Sequence, residues 1–353
     1  MNDKASQFNF LATGIGSVPF QDIGDTCRNI LSYFPSMPFW PQFVKRSYLE
    51  DMSAQYCEGL PLLEVNEQER SIRVSQKLNA ESQLTEFYEY FLANNIDHFS
   101  ISRNCAPGFY TLLELIRENE NDNGCCIKGQ TVGPVTFGAG IADRDGKPVL
   151  HNEALMEALV SGLAIKAVWQ ARKLADTGRT PVIFLDEPYL SGFGSAFSSV
   201  QRDDVIRMLR TVISYLQENS DARVGIHCCG NTDWSMIVEA GPDIISFDAF
   251  AYMDHFLLYP KEIGQFLEAG GNVAWGIVPT SAFTGKESVE MLFLRLEAGL
   301  SRMKEWGMDP GMLAERSILT PACGMGTMRH EDAEKCMELL CSLSVKCRER
   351  LVA

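Results

Sequence analysis

Eight short runs of apolar, largely β-branched residues recur along this 353-residue chain, and helix-like stretches separate most of them. The runs are Ala12–Ser17, Asp97–Ser102, Cys125–Gln130, Pro181–Asp186, Arg223–Cys228, Asp243–Asp248, Asn272–Val278 and Ser317–Cys323. Between them lie Glu81–Asn94, Gly108–Glu118, Asn152–Thr177, Arg202–Glu218, Trp234–Ala240, Lys261–Ala269 and Glu287–Trp306, and a last helix is predicted over Glu331–Arg350. Strands alternating with helices imply right-handed crossovers and a parallel sheet. Eight such units at this length predict an α/β fold, a closed (β/α)8 TIM barrel. A doubly wound open sheet is the alternative. No Gly-x-Gly-x-x-Gly follows an early strand, which counts against it.

The interval from Val18 to Ile96 is too long for a minimal barrel. It reads as a helix over Ile23–Tyr33, a Pro- and aromatic-rich loop (Phe34 to Pro41), a second helix near Tyr48–Glu58, and a hairpin whose arms Leu60–Val65 and Ser71–Val74 flank Asn66–Arg70. We read 18–96 as an insertion between the first and second strands that covers one barrel end. With no Gly/Ser linker, repeat or low-complexity tract, 1–353 is expected to be one barrel domain.

Composition narrows the partners. A net charge of −15 argues against nucleic acid and anionic membranes. No apolar run is long enough to span a bilayer by eye, and Met1–Phe10 lacks the basic and apolar regions of a signal peptide. Eleven cysteines, an odd count without framework spacing, fit a reducing cytoplasm.

In such barrels chemistry gathers where the strands end. Ser17 ends the first run, Asp186 with Glu187 the fourth, Asp248 the sixth. The fifth runs into Ile226-His227-Cys228-Cys229-Gly230, where alternation puts His227 and Cys229 on one side and Cys228 on the other. The eighth ends in Pro321-Ala322-Cys323-Gly324-Met325-Gly326, whose glycines permit a tight turn. One imidazole and two thiolates meeting at the mouth would suit a zinc ion with an open or weak fourth position. Such a site can hold a substrate thiol as its nucleophilic thiolate. The competing zinc chemistry is activation of water; the usual deaminase signature, His-x-Glu with Pro-Cys-x-x-Cys, is absent.

These residues carry a resemblance. Ile15-Gly16-Ser17-Val18-Pro19, Lys128-Gly129-Gln130-Thr131-Val132-Gly133-Pro134-Val135-Thr136, Leu185-Asp186-Glu187-Pro188, His227-x-Cys229 and Cys323-Gly324 follow one another as in the catalytic barrel of cobalamin-independent methionine synthase. That family belongs with the methylcobamide:coenzyme M methyltransferases and uroporphyrinogen decarboxylase. The resemblance is weakest between Gln21 and Asp97. It implies that Ser17 lies at the substrate site, that Asp186 holds the amino group of homocysteine, and that His227, Cys229 and Cys323 bind zinc. Asp248 stands where the family has a fourth ligand, a glutamate one methylene longer; Glu187 or water could fill that place instead. Cys229-Gly230-Asn231-Thr232 is closer to the coenzyme M methyltransferases, and there is no room for the additional N-terminal barrel of the full-length synthase. The arginine-rich motif of the decarboxylases is missing.

The expectation is therefore a cytoplasmic zinc-dependent S-methyltransferase making methionine from homocysteine, with Asp186 and Asp248 at the reacting centre. Its donor is expected to be a methylcorrinoid, free or on a docking corrinoid protein, rather than methyltetrahydrofolate. A coenzyme M methyltransferase, a non-catalytic thiol or corrinoid binder, and a decarboxylase-type barrel with structural cysteines are the alternatives. Cys336, Cys341 and Cys347 share no face, and Cys125-Cys126 sits in a run whose adjacent side chains should diverge; core packing is the reading for both. His255 and Cys105 follow predicted strands and could reach the mouth.

Overall fold

The computed structural model describes residues 7–76, 79–119, 123–194 and 200–352; Met1 to Ser6, part of the stretch screened for a signal peptide, lie outside them. Its strands are β1 (Leu11–Ala12), β2 (Leu63–Asn66), β3 (Ser71–Val74), β4 (Cys126–Val132), β5 (Thr180–Asp186), β6 (Arg223–Cys228), β7 (Ile244–Phe247), β8 (Asn272–Val278) and β9 (Ser317–Pro321). Seven of them form one parallel, curled sheet in the order β1-β9-β8-β7-β6-β5-β4, and β2 and β3 form the expected antiparallel hairpin. The helices are α1 (Ile23–Tyr33), α2 (Ala80–Leu92), α3 (Pro107–Glu118), α4 (Pro134–Gly140), α5 (Glu153–Ala175), α6 (Arg202–Asn219), α7 (Trp234–Ala240), α8 (Ala249–Phe256), α9 (Pro260–Glu268), α10 (Val289–Glu305), α11 (Pro310–Glu315) and α12 (His330–Leu351). This is a TIM-barrel fold.

The second strand is not where the sequence placed it. Asp97–Ser102 falls on a 3-10 turn, Ile96–Phe99, and its extended exit. The gap between β1 and β4 is filled by the Pro-rich stretch from Ser36 to Phe43, expected to be a loop. On one side Cys126 N–H donates to Ser36 O (3.0 Å), Lys128 N–H to Pro38 O (2.8 Å), and Trp40 N–H to Lys128 O (3.3 Å). On the other, Gln42 and Gly16 to Val18 exchange backbone bonds, with a parallel bridge Ser17–Gln42. Pro35, Pro38 and Pro41 have no N–H, so the ladder is interrupted and only isolated bridges remain. The carbonyls still accept, which is enough to close the seam. Phe39 fills the space beside Gly14, where a Cβ would come within 2.3 Å of the ring.

The insertion is displaced accordingly. α1 is the barrel's own first helix, and the excursion runs from about residue 44 to α3, after the second strand position. Within it, the helix expected near Tyr48–Glu58 is two 3-10 turns, Tyr48–Glu50 and Ala54–Tyr56. α5 also corrects the reading of hydropathy. It is long and apolar enough to cross a membrane, yet 83% of its most apolar window is buried in the protein, as in a core helix.

The barrel interior is layered. Phe8, Leu11, Ile15, Met37, Cys126, Val182, Phe184, Ile244, Ala274 and Ile318 form an apolar cluster of their own toward the strand N-termini. Two residues further along the same faces come polar groups: Lys128 and Gln130 on β4, Asp186 on β5, Ser246 on β7 and Thr320 on β9, all buried. The polar layer lies under the mouth.

Candidate metal centre

β6 delivers His227, and the residue just past its end, Cys229, lies on the same face. β9 ends at Pro321, and the turn that follows brings in Cys323. One ligand atom from each of His227, Cys229 and Cys323 lies within 4.8 Å of the others. Among the described residues this is the one such group of metal-ligating side chains. His227 Nδ1 lies 2.9 Å from Ser246 Oγ, while Nε2 is buried and makes no hydrogen bond of normal geometry. If Nδ1–H donates to Ser246, Nε2 is left bare toward the thiols, the tautomer a metal requires.

The two thiols share a proton. Cys229 is pushed down to about 4, by a hydrogen bond from the Cys323 thiol above all, against burial, with His227 adding to the effect. Cys323 is pushed up by the same bond and by burial. An orphaned imidazole nitrogen, a ready thiolate and a second thiol, half-buried together, fit a soft divalent ion such as zinc.

Asp186 stands beside His227 in the sheet register. Burial pushes its carboxyl up to about 6, while the charges of Lys128 and His227 pull it back. Its Oδ1 is buried and has no hydrogen-bond partner. Lys128, beneath it, is fully buried; its ammonium bonds to Ile15 O and to Gln130 Oε1 (3.2 Å) and lies 4.7 Å from the centre of the Phe184 ring. The sequence reading quoted Lys128 as part of a motif and gave it no role. Its signal was a lysine inside a strand otherwise buried on both faces.

Ser17 packs on the Cys323 turn: its Oγ accepts from Gly326 N–H (3.3 Å), its carbonyl from Met325 N–H (2.9 Å), and a Cβ on Gly324 would come within 2.2 Å of Oγ. Two other expected site residues are engaged elsewhere. Glu187 points outward, one residue past Asp186, and both carboxylate oxygens hold the first turn of α4: Val135 N–H (2.9 Å), Thr136 N–H (2.8 Å) and Thr136 Oγ–H (2.6 Å) donate to it. These bonds tie Glu187 to α4, and it is not one of the His227, Cys229, Cys323 group. Asp248 caps α8, accepting from Ala251 N–H at 2.8 Å through Oδ1; it lies near enough to Cys229 and His227 for their charges to act on its carboxyl, but is not itself one of the His227, Cys229, Cys323 group. His255 is exposed on α8, and Cys105 is buried beside Glu58 and Lys166; neither joins the group.

Ser246→Ala provides a direct test of the bare imidazole nitrogen. The variant is expected to fold normally and to bind zinc about 10–100-fold more weakly, because the ring loses the partner that fixes its tautomer. Competition with a chelating dye measures it. Unchanged affinity would mean that Ser246 does not set the histidine.

No protein-family model matches the chain, and no curated protein matches it. Among solved structures it is similar to a B12-independent methionine synthase from Shewanella sp. W3-18-1, solved in complex with selenomethionine, at 14% identity and a TM-score of 0.60, over 97% of this chain and 98% of that one. It also aligns with the GH113 β-mannanase AaManA from Alicyclobacillus acidocaldarius at 10% identity and a TM-score of 0.43, over 97% and 98% of the two chains. At 14% identity the likeness to the synthase is one of fold.

Proposed function

We propose that this protein is an enzyme that moves a methyl group onto the sulfur of an aminothiol, homocysteine in the first instance, in a zinc-dependent reaction. The observation that carries this reading is the pairing of His227, Cys229 and Cys323 around one point with an unpartnered, buried Asp186 oxygen beside them. Zinc, when bound by those three residues, supplies Lewis acidity that favours the thiolate form of a thiol near neutral pH. The rest falls to the chain itself. Asp186 offers a carboxylate for an ammonium group, which fits homocysteine and would repel the sulfonate of coenzyme M. Lys128 keeps positive charge inside the barrel near that carboxylate. Ser17 is held against the Cys323 turn, where it orients the substrate. In the transfer, the thiol proton passes to solvent beforehand, and the thiolate sulfur forms its bond to the methyl carbon as the donor's bond to that carbon breaks, its electron pair staying with the donor.

The donor in this reading is a methylcorrinoid, free or delivered by a corrinoid protein. Its support is the Cys229-Gly230-Asn231-Thr232 likeness to corrinoid-using relatives and the better leaving group of a methylcorrinoid. Methyltetrahydrofolate is the second reading. It is favoured by the Shewanella neighbour, a B12-independent methionine synthase covered for 98% of its chain by a protein of this size. The two are separated by supplying homocysteine with each donor side by side and following methionine formation. Faster turnover with methylcobalamin is expected. Faster turnover with the folate reverses the choice, and no methionine from either donor defeats the reading.

A further inference from the structure

At the opposite pole from the mouth, Cys125 and Cys126 depart from what a strand would give them. Adjacent side chains on a strand diverge, but β4 begins only at Cys126, and Cys125 sits in a bend before it. The bend leaves the two thiols close enough for each to act on the other's ionisation. Cys125 is exposed, with Sγ also 3.4 Å from Ser36 O, whereas Cys126 is 6% exposed in the lower apolar cluster. Arg179 lies against this corner: its guanidinium occupies the space beside Gly124, within 2.0 Å of where a Cβ would stand, and donates to Cys126 O (3.1 Å) and Pro35 O (2.9 Å). An accessible thiol, an adjacent cation and a second thiol on the neighbouring residue are the parts of a reactive dithiol.

We infer that Cys125 and Cys126 form a peroxide-reactive dithiol, with Cys125 the attacking and Cys126 the resolving thiol. Cys125 is the exposed member, open to a peroxide, and Cys126 and the Arg179 charge both favour its thiolate, while burial disfavours that of Cys126. In the first step the Cys125 thiolate attacks the distal oxygen of a hydroperoxide, ROOH. The O–O bond breaks, Cys125 becomes a sulfenic acid, and RO⁻ takes up a proton to leave as the alcohol. In the second, Cys126 sulfur attacks the Cys125 sulfur, the S–O bond breaks, and hydroxide leaves as water with the Cys126 proton. Two thiols are oxidised by two electrons to one disulfide, and the peroxide is reduced to alcohol and water.

The closed ring has a structural consequence. It draws the Cys126 sulfur out of the lower cluster, and the Cys126 N–H bond to Ser36 O is one of the few that hold the Pro-rich strand.

The test uses the full chain at neutral pH with one equivalent of hydrogen peroxide, then alkylation and peptide mass spectrometry. The peptide holding both cysteines is expected to lose two hydrogens and escape alkylation, about tenfold faster than half-buried Cys341 is modified. In Cys126→Ala, Cys125 should be trapped by dimedone as a sulfenic acid; in Cys125→Ser, an exposed change that leaves the fold alone, Cys126 should stay unmodified. A doubly alkylatable pair oxidising no faster than Cys341, or no dimedone adduct in Cys126→Ala, overturns the inference. The readout is independent of the methyl-transfer reading.

Discussion

Cys323→Ser is expected to abolish metal binding: protein purified without added zinc should carry about one zinc per chain, and the variant essentially none. A serine hydroxyl is harder than a thiolate, stays protonated near neutral pH and sits on a shorter bond, so it does not replace sulfur as a ligand. The loss also leaves Cys229 without the thiol that holds it ionised, the largest cause of its lowered pKa. With zinc sites of this kind binding by about 10–16 kcal/mol in total, losing one of three protein ligands should cost roughly 3–5 kcal/mol, which is about a hundredfold to several thousandfold in affinity and enough for the metal to be lost on purification. Elemental analysis and chelator competition measure this, and thermal unfolding checks that the variant folds. Cys341→Ser, a thiol of α12 outside the group, is the control and should retain its metal. A Cys323→Ser protein that keeps the wild-type zinc would remove the metal centre from the account, and with it the proposed chemistry.

How far such a centre could be read in advance depended on local geometry. His227 and Cys229 were legible because a two-residue spacing on a strand places both on one face, and the structure keeps them so. Cys323, far along the chain, could be joined to them only through the barrel topology and the glycines that turn the chain after β9. The second strand was illegible for the converse reason. Pro35, Pro38 and Pro41 remove the N–H groups that define a ladder, so a strand looked like a loop, while Asp97–Ser102 had the apolar pattern but curls into a 3-10 turn. What fixes the Pro-rich stretch is tertiary: carbonyls that accept from β4, and a Phe39 ring that needs a glycine opposite it. Asp248 carries a second, purely local signal as well: an Asp three residues before Ala251, opening an apolar helical stretch, is an ordinary N-cap. Cys126 packs in the lower cluster as expected, while Cys125 lies outside it because the strand starts one residue later than its apolar run.

Asp186 and Glu187 are adjacent acids with opposite expected phenotypes. The alternation of β5 buries Val182, Phe184 and Asp186 on one face and turns Glu187 to the other, toward α4. Glu187 is 0% exposed, and burial pushes its carboxyl up to about 7 against the hydrogen bonds from Thr136 and Val135 that hold it. Glu187→Ala strands the buried Val135 N–H and the part-buried N–H and hydroxyl of Thr136, and leaves a space beside Gly133, where a Cβ would now lie 2.2–2.3 Å from Glu187 Cδ, Cγ and Oε1. Leaving the donors unpaired should cost about 3–5 kcal/mol of stability, seen as a lower denaturation midpoint at unchanged denaturant slope. Asp186→Asn removes charge from a group that already has a buried oxygen without a partner, so stability should change little. What it should lose is the ammonium of the substrate. A charged hydrogen bond is worth roughly 1.5–3 kcal/mol, so homocysteine use should fall by about one to two orders of magnitude. A thiol lacking the amino group, such as 4-mercaptobutyrate, should be affected far less. Asp186→Asn and Glu187→Ala are therefore compared by denaturant titration and by binding of both thiols. Equal loss of the two thiols in Asp186→Asn would show that the carboxylate does not read the ammonium. A stable Glu187→Ala with impaired thiol binding would return Glu187 to the site and Asp186 to the scaffold.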